Sequence, residues 1–189
     1  LVPATRPQAF SAAVDSEVDA VILDIEDAVA PAAKPAAREA VVSWLEAGNT
    51  AWVRINDATT SFWAEDLAAL AGVGTLAGIM LAKTESGSQV DATATRLPAG
   101  TRILALVESA VGLEAVAEIA RADSTFRLAS GSGDFRRDTG MSDEPLAMAY
   151  PRSRLVVSSR AARLPGPIDG PTLTANDGIL ARDSALTVS

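Results

Sequence analysis

The chain is organised around the segment Val21-Ile22-Leu23-Asp24-Ile25-Glu26-Asp27-Ala28-Val29. Its apolar beginning is typical of a parallel strand that is buried on both faces. Three acids then follow within four positions, and carboxylates at the end of a buried strand are costly to place without a partner. They fit either a solvated strand end that leads into a helix or part of a functional site. The segment alone leaves both interpretations open.

The same design recurs along the chain, where short apolar segments alternate with segments of helical periodicity. Strands are predicted at Leu1–Pro3, from about Ala20, and at Thr50–Asn56, Gly78–Leu81, Arg102–Val107, Arg127–Ala129 and, briefly, Ile168. Helices are predicted after Pro7 and at Ala36–Ala47, Phe62–Ala71, Gly87–Leu97, Leu113–Ala122 and Pro145–Arg163. Strand starts about 25 to 40 residues apart match the size of a βα unit. This alternation predicts an α/β fold with parallel strands.

Polar residues at the strand ends decide between an open sheet and a closed barrel. They end the second to the sixth predicted strands and include Arg54, Asn56, Lys83, Glu85, Glu108 and Asp134. In an open sheet, strands about 4.8 Å apart would spread these ends over roughly 20 Å. In a barrel they surround one cavity, where the active sites of such barrels lie. We therefore predict a TIM (β/α)₈ barrel.

Residues 1–189 are expected to form a single barrel domain that lacks its eighth strand and C-terminal segment, because a full barrel needs about 250 residues. The chain begins without Met in a strand-like segment and stops at Ser189 within a predicted helix, so we expect it to be part of a longer protein.

Composition narrows the classes of partner. The formal net charge is −8, and this argues against non-specific binding of nucleic acid. No apolar run is long enough to span a bilayer, and no secretory signal is recognisable, so we expect no membrane partner and a cytoplasmic location.

The 189 residues contain neither Cys nor His. Thiolate nucleophiles, Cys-ligated metals, the Ser-His-Asp relay and imidazole metal sites are thereby excluded for this sequence. Chemistry must depend on carboxylates, arginines, hydroxyls, backbone amides, an oxygen-bound metal or the two lysines. One of these, Lys34, is predicted in a loop, and the other, Lys83, at a strand end.

Glu108 and Asp134 each follow an apolar strand, and the two strands are expected to be neighbours. Two carboxylates that lie close together need a shared proton or a cation. A hard cation that keeps several waters, such as Mg²⁺, fits this requirement. Solvated strand ends are the alternative. The adjacent Gly131-Ser132-Gly133 predicts a turn that exposes backbone N–H groups to an anion.

Basic residues at the predicted strand ends have two interpretations each. Arg54 is a bidentate clamp for a carboxylate or enolate, or the ion-pair partner of the acids after the second strand. Lys83 is a Schiff-base lysine, or an ammonium kept charged by the surrounding acids, and we favour the second. Arg6 meets an anionic ligand or pairs on the surface. Arg136 and Arg137 are expected to be solvated.

An ordered set of motifs resembles the citrate lyase β-subunit-like branch of the HpcH/HpaI aldolase superfamily. The motifs are Leu1-Val2-Pro3-Ala4-Thr5-Arg6-Pro7, Leu23-Asp24-Ile25-Glu26-Asp27-Ala28-Val29, Val53-Arg54-Ile55-Asn56, Ala82-Lys83-Thr84-Glu85-Ser86, Ala105-Leu106-Val107-Glu108-Ser109, Gly131-Ser132-Gly133-Asp134-Phe135, Arg152-Ser153-Arg154-Leu155 and Ile168-Asp169-Gly170. The resemblance covers residues 1 to about 170. Two positions depart from it: Ala82 stands where the family usually has Pro, and Val111 where Arg often follows the Glu motif.

The resemblance implies a site as well as a fold. It implies Mg²⁺ bound by Glu108 and Asp134, Arg54 on the substrate and Asp27 near the metal waters. Asp27 is then the candidate proton-transfer group, and backbone amides near Gly133 would fix a substrate carboxylate. Lys83 and Arg6 are further candidates for binding the substrate.

The activity that the resemblance implies is cleavage or formation of a C–C bond in a 3-hydroxyacyl thioester of the citryl-CoA or malyl-CoA type. The expected partners are an acyl-CoA or acyl-carrier thioester and an oxo acid. A homo-oligomer, trimer or hexamer, is expected, since in relatives the C-terminal segment completes the site of a neighbouring subunit. Thioester hydrolysis, pyruvate-type aldol chemistry and a non-catalytic barrel that binds an acyl-CoA or a protein are the alternatives.

Overall fold

The computed structural model describes residues 1–142 and 144–171. Its strands are β1 (Val2–Pro3), β2 (Ile22–Asp24), β3 (Ala51–Ile55), β4 (Leu76–Leu81), β5 (Ile103–Val107) and β6 (Thr125–Ser130). Its α-helices are α1 (Phe10–Val14), α2 (Lys34–Glu46), α3 (Ser61–Leu70), α4 (Gly87–Ala94), α5 (Ala110–Glu114), α6 (Val116–Ile119), α7 (Ser132–Thr139) and α8 (Ala149–Ala161). Short 3₁₀ helices at Pro7–Ala9 and Pro31–Ala33 precede α1 and α2.

The six strands form one parallel sheet in the order β1-β2-β3-β4-β5-β6. Strand order that follows chain order, with helices between the strands, is the arrangement of a barrel, whereas a doubly wound sheet reverses its order at a switch point. Ile168 adds an isolated parallel bridge to Ala129, so a seventh segment lies beside β6 where a brief strand is predicted. The predicted barrel-like α/β fold is confirmed. The predictions for residues 172–189 lie outside the described residues.

Alternation along the strands separates two apolar layers. One layer packs between the sheet and its helices and includes Leu23, Val53, Ile55, Leu81, Ile103 and Leu128. The other faces the interior of the barrel and contains Trp52, Met80, Leu104, Leu106 and Ala129. Because side chains alternate with a period of two, Arg54 shares the interior face with Trp52, and Glu108 shares it with Leu106. The interior row therefore changes from apolar to charged at the carboxyl ends of the strands.

The opposite end of the interior is packed by aromatic rings. Trp52 and Phe126 stack with centroids 5.8 Å apart, and the Arg102 guanidinium lies 5.2 Å and 5.1 Å from the two centroids. A Cβ on Gly78 would overlap the Trp52 ring, so this close approach requires glycine. The amino-terminal end of the interior is thus packed by two aromatic rings and the Arg102 guanidinium.

Several predicted element boundaries are wrong. Residues 131–133 are not a free turn, because Gly131 is the N-cap of α7 and the next two residues already belong to this helix. Helix α7 has no apolar stripe, since Phe135 is its one buried residue. Lys34 is not in a loop but begins α2. The predicted helix Leu113–Ala122 is divided into α5 and α6 at Ala115, and we have no physical account of the break.

The last predicted helix begins at Ala149 rather than Pro145. Pro151 explains the difference, since its ring is tolerated in a first helical turn but would clash with a helix that continued toward the amino terminus. Within residues 1–142 and 144–171, the helices are all too short or too polar to cross a membrane.

Candidate active site

Six charged side chains meet at the carboxyl ends of the strands: Asp24, Glu26, Arg54, Lys83, Glu108 and Asp134. We call these six residues the carboxyl-end cluster. Its members come from β2 and the loop after it, from β3, from the segments directly after β4 and β5, and from the first turn of α7. The cluster borders a cleft of about 270 Å³ that is lined by Asp57, Lys83, Glu85, Glu108, Ser109, Asp134, Arg137 and Asp138.

A bidentate ion pair joins β2 to β3 within the cluster. Arg54 Nε donates to Asp24 Oδ1 at 2.8 Å, and Arg54 Nη2 donates to Asp24 Oδ2 at 2.7 Å. The N–H groups of Glu26 and Ala28 also donate to the Asp24 carboxylate, at 2.9 Å and 3.2 Å. Although burial alone would raise the pKa of Asp24, Arg54 and these N–H groups hold it below its usual value. Of the two interpretations of Arg54, the ion pair with the acids of the second strand is observed, and its role as a substrate clamp stays a prediction.

Lys83 contacts three acids of the cluster and has an unusual backbone conformation. Its φ of +47° is in the left-handed region, which non-glycine residues seldom adopt outside functional or turn positions. Its N–H donates to Glu108 Oε1 at 2.9 Å, and its Nζ lies 2.5 Å from Glu26 Oε1 and 3.5 Å from Asp134 Oδ2. Burial would lower the pKa of Lys83, but Glu26, Glu108 and Asp134 raise it. A Schiff-base lysine needs the opposite shift.

Glu108 is the most perturbed acid of the cluster. It is 4% exposed, and burial together with Asp134 and Glu26 raises its pKa to about 7, against the Lys83 N–H and ammonium. A Cβ on Gly131 would overlap the Glu108 carboxylate, so glycine permits this acid to lie against the end of β6. The carboxyl group is therefore buried beside like charges and held in place by its neighbours.

Asp134 is not at a strand end as predicted but in the first turn of α7, where the helix dipole favours a carboxylate. Arg137, one turn later, lies 2.5 Å from Asp134 Oδ1 with its side chain 75% exposed, so this arginine is exposed as predicted and also paired. Asp138 of the same helix accepts a hydrogen bond from the Ala110 N–H at 2.8 Å. This bond ties α7 to the segment that follows Glu108.

The donor set of the cluster fits a hard cation. Glu108 and Asp134 contribute carboxylate oxygens. Burial and, after it, the charges of Asp134 and Glu26 raise the pKa of Glu108, and a cation bound there would favour its ionised form. The buried Glu26 Oε2 accepts no hydrogen bond within the described residues. The same part of the chain contains no group of three or more His, Cys, Asp or Glu side chains that could hold a metal. Two protein ligands would leave the remaining positions to water or substrate.

The other predicted site residues lie apart from these contacts. Asp27 is exposed in the loop after β2, and Arg6 is exposed after β1. Gly133 lies in the first turn of α7, with open space around the position of a Cβ. Asn56 belongs to another network, because its N–H and its amide both donate to Asp66 Oδ2. Glu85 accepts a hydrogen bond from the Ser109 hydroxyl at 2.5 Å.

Neither Glu26 nor Lys34 is among the site residues predicted from the sequence, in which Lys34 is expected in a loop. Glu26 is 8% exposed and contacts Lys83, and its position two residues after Asp24 was the available signal, since alternate residues share a face. Lys34 is 5% exposed and contacts the backbone of the loop after β2. No local pattern predicts that contact.

The chain is similar in sequence to a citrate lyase subunit beta-like protein and to malyl-CoA lyases. A citrate lyase subunit beta-like protein of Mycobacterium tuberculosis is 44% identical over 132 residues, which are 70% of this chain and 46% of that protein. The L-malyl-CoA/beta-methylmalyl-CoA lyase of Rhodobacter capsulatus is 33% identical over 157 residues, covering 74% of this chain and 49% of that protein. The chain spans about half the length of these curated relatives.

The crystal structure of CitE from Mycobacterium tuberculosis in complex with magnesium, acetoacetate and coenzyme A has the same fold, with a TM-score of 0.82 and 36% sequence identity. The match covers 97% of this chain and 68% of that one. The family model for the HpcH/HpaI aldolase/citrate lyase family matches residues 1–166. With most of its length matched, the chain belongs to the HpcH/HpaI aldolase/citrate lyase family.

Proposed function

We propose that the chain is the barrel part of a Mg²⁺-dependent lyase that cleaves or forms a C–C bond in a 3-hydroxyacyl-CoA ester. The observation that carries this proposal is the carboxyl-end cluster, in which Glu108 and Asp134 lie beside a fixed arginine and a charged lysine. The malyl-CoA lyase and citrate lyase-like relatives support the reaction class. Citryl-CoA and malyl-CoA are the proposed types of substrate.

Glu108 and Asp134 are the proposed Mg²⁺ ligands, and the magnesium in the CitE complex supports this choice of metal. Bound there, Mg²⁺ would act as a Lewis acid toward the oxo-acid product or substrate. Glu108 is held for this role by the Lys83 N–H on one oxygen and by the absence of a side chain at residue 131. Asp134 is held by Arg137 and by the amino terminus of α7.

Positive charge in the cluster would act on the substrate. Arg54 has Nε and Nη2 bound to Asp24, and its Nη1 lies 3.6 Å from Glu26 Oε2, so the guanidinium has a fixed plane. We propose that Arg54 stabilises the negative charge that develops on a substrate oxygen during the reaction. Lys83, with 38% of its side chain exposed, and the exposed Arg6 are proposed to bind anionic groups of the substrate. The N–H of Gly133 in the first turn of α7 would bind the oxo-acid carboxylate.

Asp27 is the proposed proton-transfer group, because it is a solvent-exposed acid that follows Glu26 directly and can exchange protons with water. Glu26 has a different role in this scheme. Its carboxylate holds the Lys83 ammonium beside Asp134, so it orients the cation. A homo-oligomer, trimer or hexamer, remains a prediction, which the mass of the full-length protein by light scattering tests.

Product analysis tests the proposed function. The full-length protein is incubated with malyl-CoA or citryl-CoA, with and without EDTA, and acyl-CoA, oxo acid and free CoA thiol are measured. Because these 189 residues contain no Cys, a thiol reagent reports CoA release with little background from this chain. We expect acetyl-CoA and an oxo acid in equal amounts, no free thiol, and complete loss of turnover in EDTA.

Other outcomes would overturn this assignment. Free CoA without an oxo acid would identify a thioesterase. Oxo-acid formation that survives EDTA would exclude the metal-dependent reaction. Binding of the CoA ester without any product would indicate a non-catalytic barrel.

A further inference from the structure

We propose that Lys34 is a positioning residue that fixes the backbone around Glu26 and thereby orients the Lys83 ammonium in the carboxyl-end cluster. Lys34 Nζ donates to the carbonyl oxygen of Ile25 at 2.9 Å and to that of Glu26 at 2.8 Å. These carbonyls belong to the two residues that follow β2. The role of Lys34 in turnover rests on the proposed function, whereas its effect on Lys83 does not.

The location of Lys34 is unfavourable for a cation in two respects. The residue is 5% exposed, and burial disfavours an ammonium. It also begins α2, where the helix dipole disfavours positive charge. No carboxylate of residues 1–142 and 144–171 forms an ion pair with it. A side chain kept in such a place is expected to have a specific role, and its contacts are two carbonyls and the face of Phe62 at 5.3 Å.

The two carbonyls are on a segment whose N–H groups are also fixed. Asp24 Oδ1 accepts from the Glu26 N–H at 2.9 Å, and Asp24 Oδ2 accepts from the Ala28 N–H at 3.2 Å. Lys34 therefore binds the carbonyl of Glu26 while Asp24 binds its N–H. With both sides of the residue held, the direction of the Glu26 side chain is set by the backbone.

The Glu26 carboxylate, held in this way, fixes the position of the Lys83 ammonium at the cleft. Its Oε1 lies 2.5 Å from Lys83 Nζ, and the same Nζ lies 3.5 Å from Asp134 Oδ2. Lys83 borders the cleft, whereas Lys34 is not among the residues that line it. Lys34 thus acts on the cluster through Glu26 and does not itself meet a ligand in the cleft.

The chain offers a direct test because Lys34 and Lys83 are its two lysines. An amine-acylating reagent is applied at low concentration to the folded full-length protein, and the acylation rate of Lys83 is measured by peptide mapping. Lys34→Met is compared with wild type and with Glu26→Gln, which removes the charge that pairs with Lys83. Lys34→Arg is the conservative variant. Thr75→Val, which removes a hydrogen bond to the Leu45 carbonyl far from the cluster, is a control for lower stability alone.

We expect acylation of Lys83 in Lys34→Met to rise to the rate of Glu26→Gln, since a loosened ion pair frees the amine. Turnover should fall about ten-fold or more, as is typical when a group that orients site residues is lost. Lys34→Arg should recover part of both properties, and Thr75→Val should leave both unchanged.

Wild-type acylation of Lys83 in folded Lys34→Met would overturn the proposal, even if its melting temperature falls. If Lys34→Met does not fold, Lys34→Gln, which is too short to reach both carbonyls, replaces it with the same two outcomes. Failure of the wild-type protein to turn over any CoA ester would overturn the proposed function, while the acylation rates would still decide the role of Lys34.

Discussion

Arg54 and Arg102 lie at opposite ends of the sheet, and they are held there by different means. At the carboxyl end, Arg54 binds a buried carboxylate through two hydrogen bonds of 2.7–2.8 Å. At the amino end, Arg102 lies over the rings of Trp52 and Phe126 and donates to the Ala77 carbonyl at 3.1 Å. The same residue type therefore takes part in an ionic network at one end and packs on aromatic rings at the other.

Within one barrel, the proposed functional groups lie at the carboxyl end of the sheet, and contacts that favour a stable fold lie at the amino end. Buried ionic groups are weak contributors to stability, and apolar replacements are often better. The carboxyl end nevertheless gathers four acids, a lysine and an arginine, with Lys83 in a left-handed conformation. The amino end has the apolar contacts that a stable fold favours. Sites on such barrels lie at the carboxyl end, which agrees with this division.

Arg54→Lys should have the largest effect, and the effect should be on turnover. Lysine keeps the charge but loses the planar fork that binds Asp24, so the cation would no longer be fixed toward the substrate. Turnover should fall by roughly 10²–10³-fold, the usual loss when one preorganised donor is removed. Steady-state kinetics with a CoA ester would check this. Wild-type turnover with a lowered melting temperature would indicate that Arg54 only stabilises the sheet.

Glu108 should make the metal-free protein less stable as pH rises. Its folded pKa of about 7 lies above the unfolded value of 4.5, so unfolding releases a proton between these values and stability declines from about pH 4.5 to 7. A shift of this size corresponds to on the order of 3 kcal/mol. Urea denaturation in EDTA should therefore find Glu108→Gln more stable than wild type at pH 8, with little difference at pH 4.5. An advantage that does not change with pH would contradict this.

Gly131→Ala should weaken Mg²⁺ binding about ten-fold, since a displaced neighbour of a metal ligand typically has an effect of this order. The added Cβ would overlap the Glu108 carboxylate and move it. Gly74→Ala is the matched control, because a Cβ there meets nothing within 4 Å. Titration of both variants with Mg²⁺ would check the expectation. Equal affinities in the two variants would mean that Glu108 is not held by this contact.

Arg102→Met should have the smallest effect, and only on stability. Its two cation–π contacts are at an exposed position, so about 1 kcal/mol of unfolding free energy should be lost. Turnover should remain that of the wild type, because Arg102 is at the amino end. Chemical denaturation and kinetics on the same samples would check both. A loss of turnover would show that the two ends are coupled.

Much of the barrel could be predicted from local pattern. Short apolar runs each followed by a helix give the strands and their order, and alternation puts Arg54 and Glu108 on the interior face. Helix α7 was missed because its sequence, from Ser132 to Thr139, buries only Phe135 and so has no helical stripe to detect. This error also placed Asp134 at a strand end.

The connections within the site could not be predicted, because they join residues that are far apart in sequence. Lys83 and Glu26 are 57 positions apart and Lys83 and Glu108 are 25 apart, and no periodicity encodes such pairs. Lys34, between Ala33 and Pro35, was predicted in a loop that enters a helix. These neighbours indicate the start of a helix, but nothing in them indicates a buried ammonium. The sequence could therefore indicate which end of the barrel is charged, but not which acid meets which cation.

We propose that Glu108 and Asp134 form an oxygen-ligand site for Mg²⁺ at the carboxyl end of the sheet. Calorimetric titration of Mg²⁺ into the wild-type protein and into Glu108→Ala measures whether this site exists. We predict saturable binding by the wild type and no binding heat for Glu108→Ala, with the far-ultraviolet circular dichroism and melting behaviour of a folded barrel in both. Unchanged Mg²⁺ affinity in the folded variant would mean that Glu108 is not a ligand of the metal.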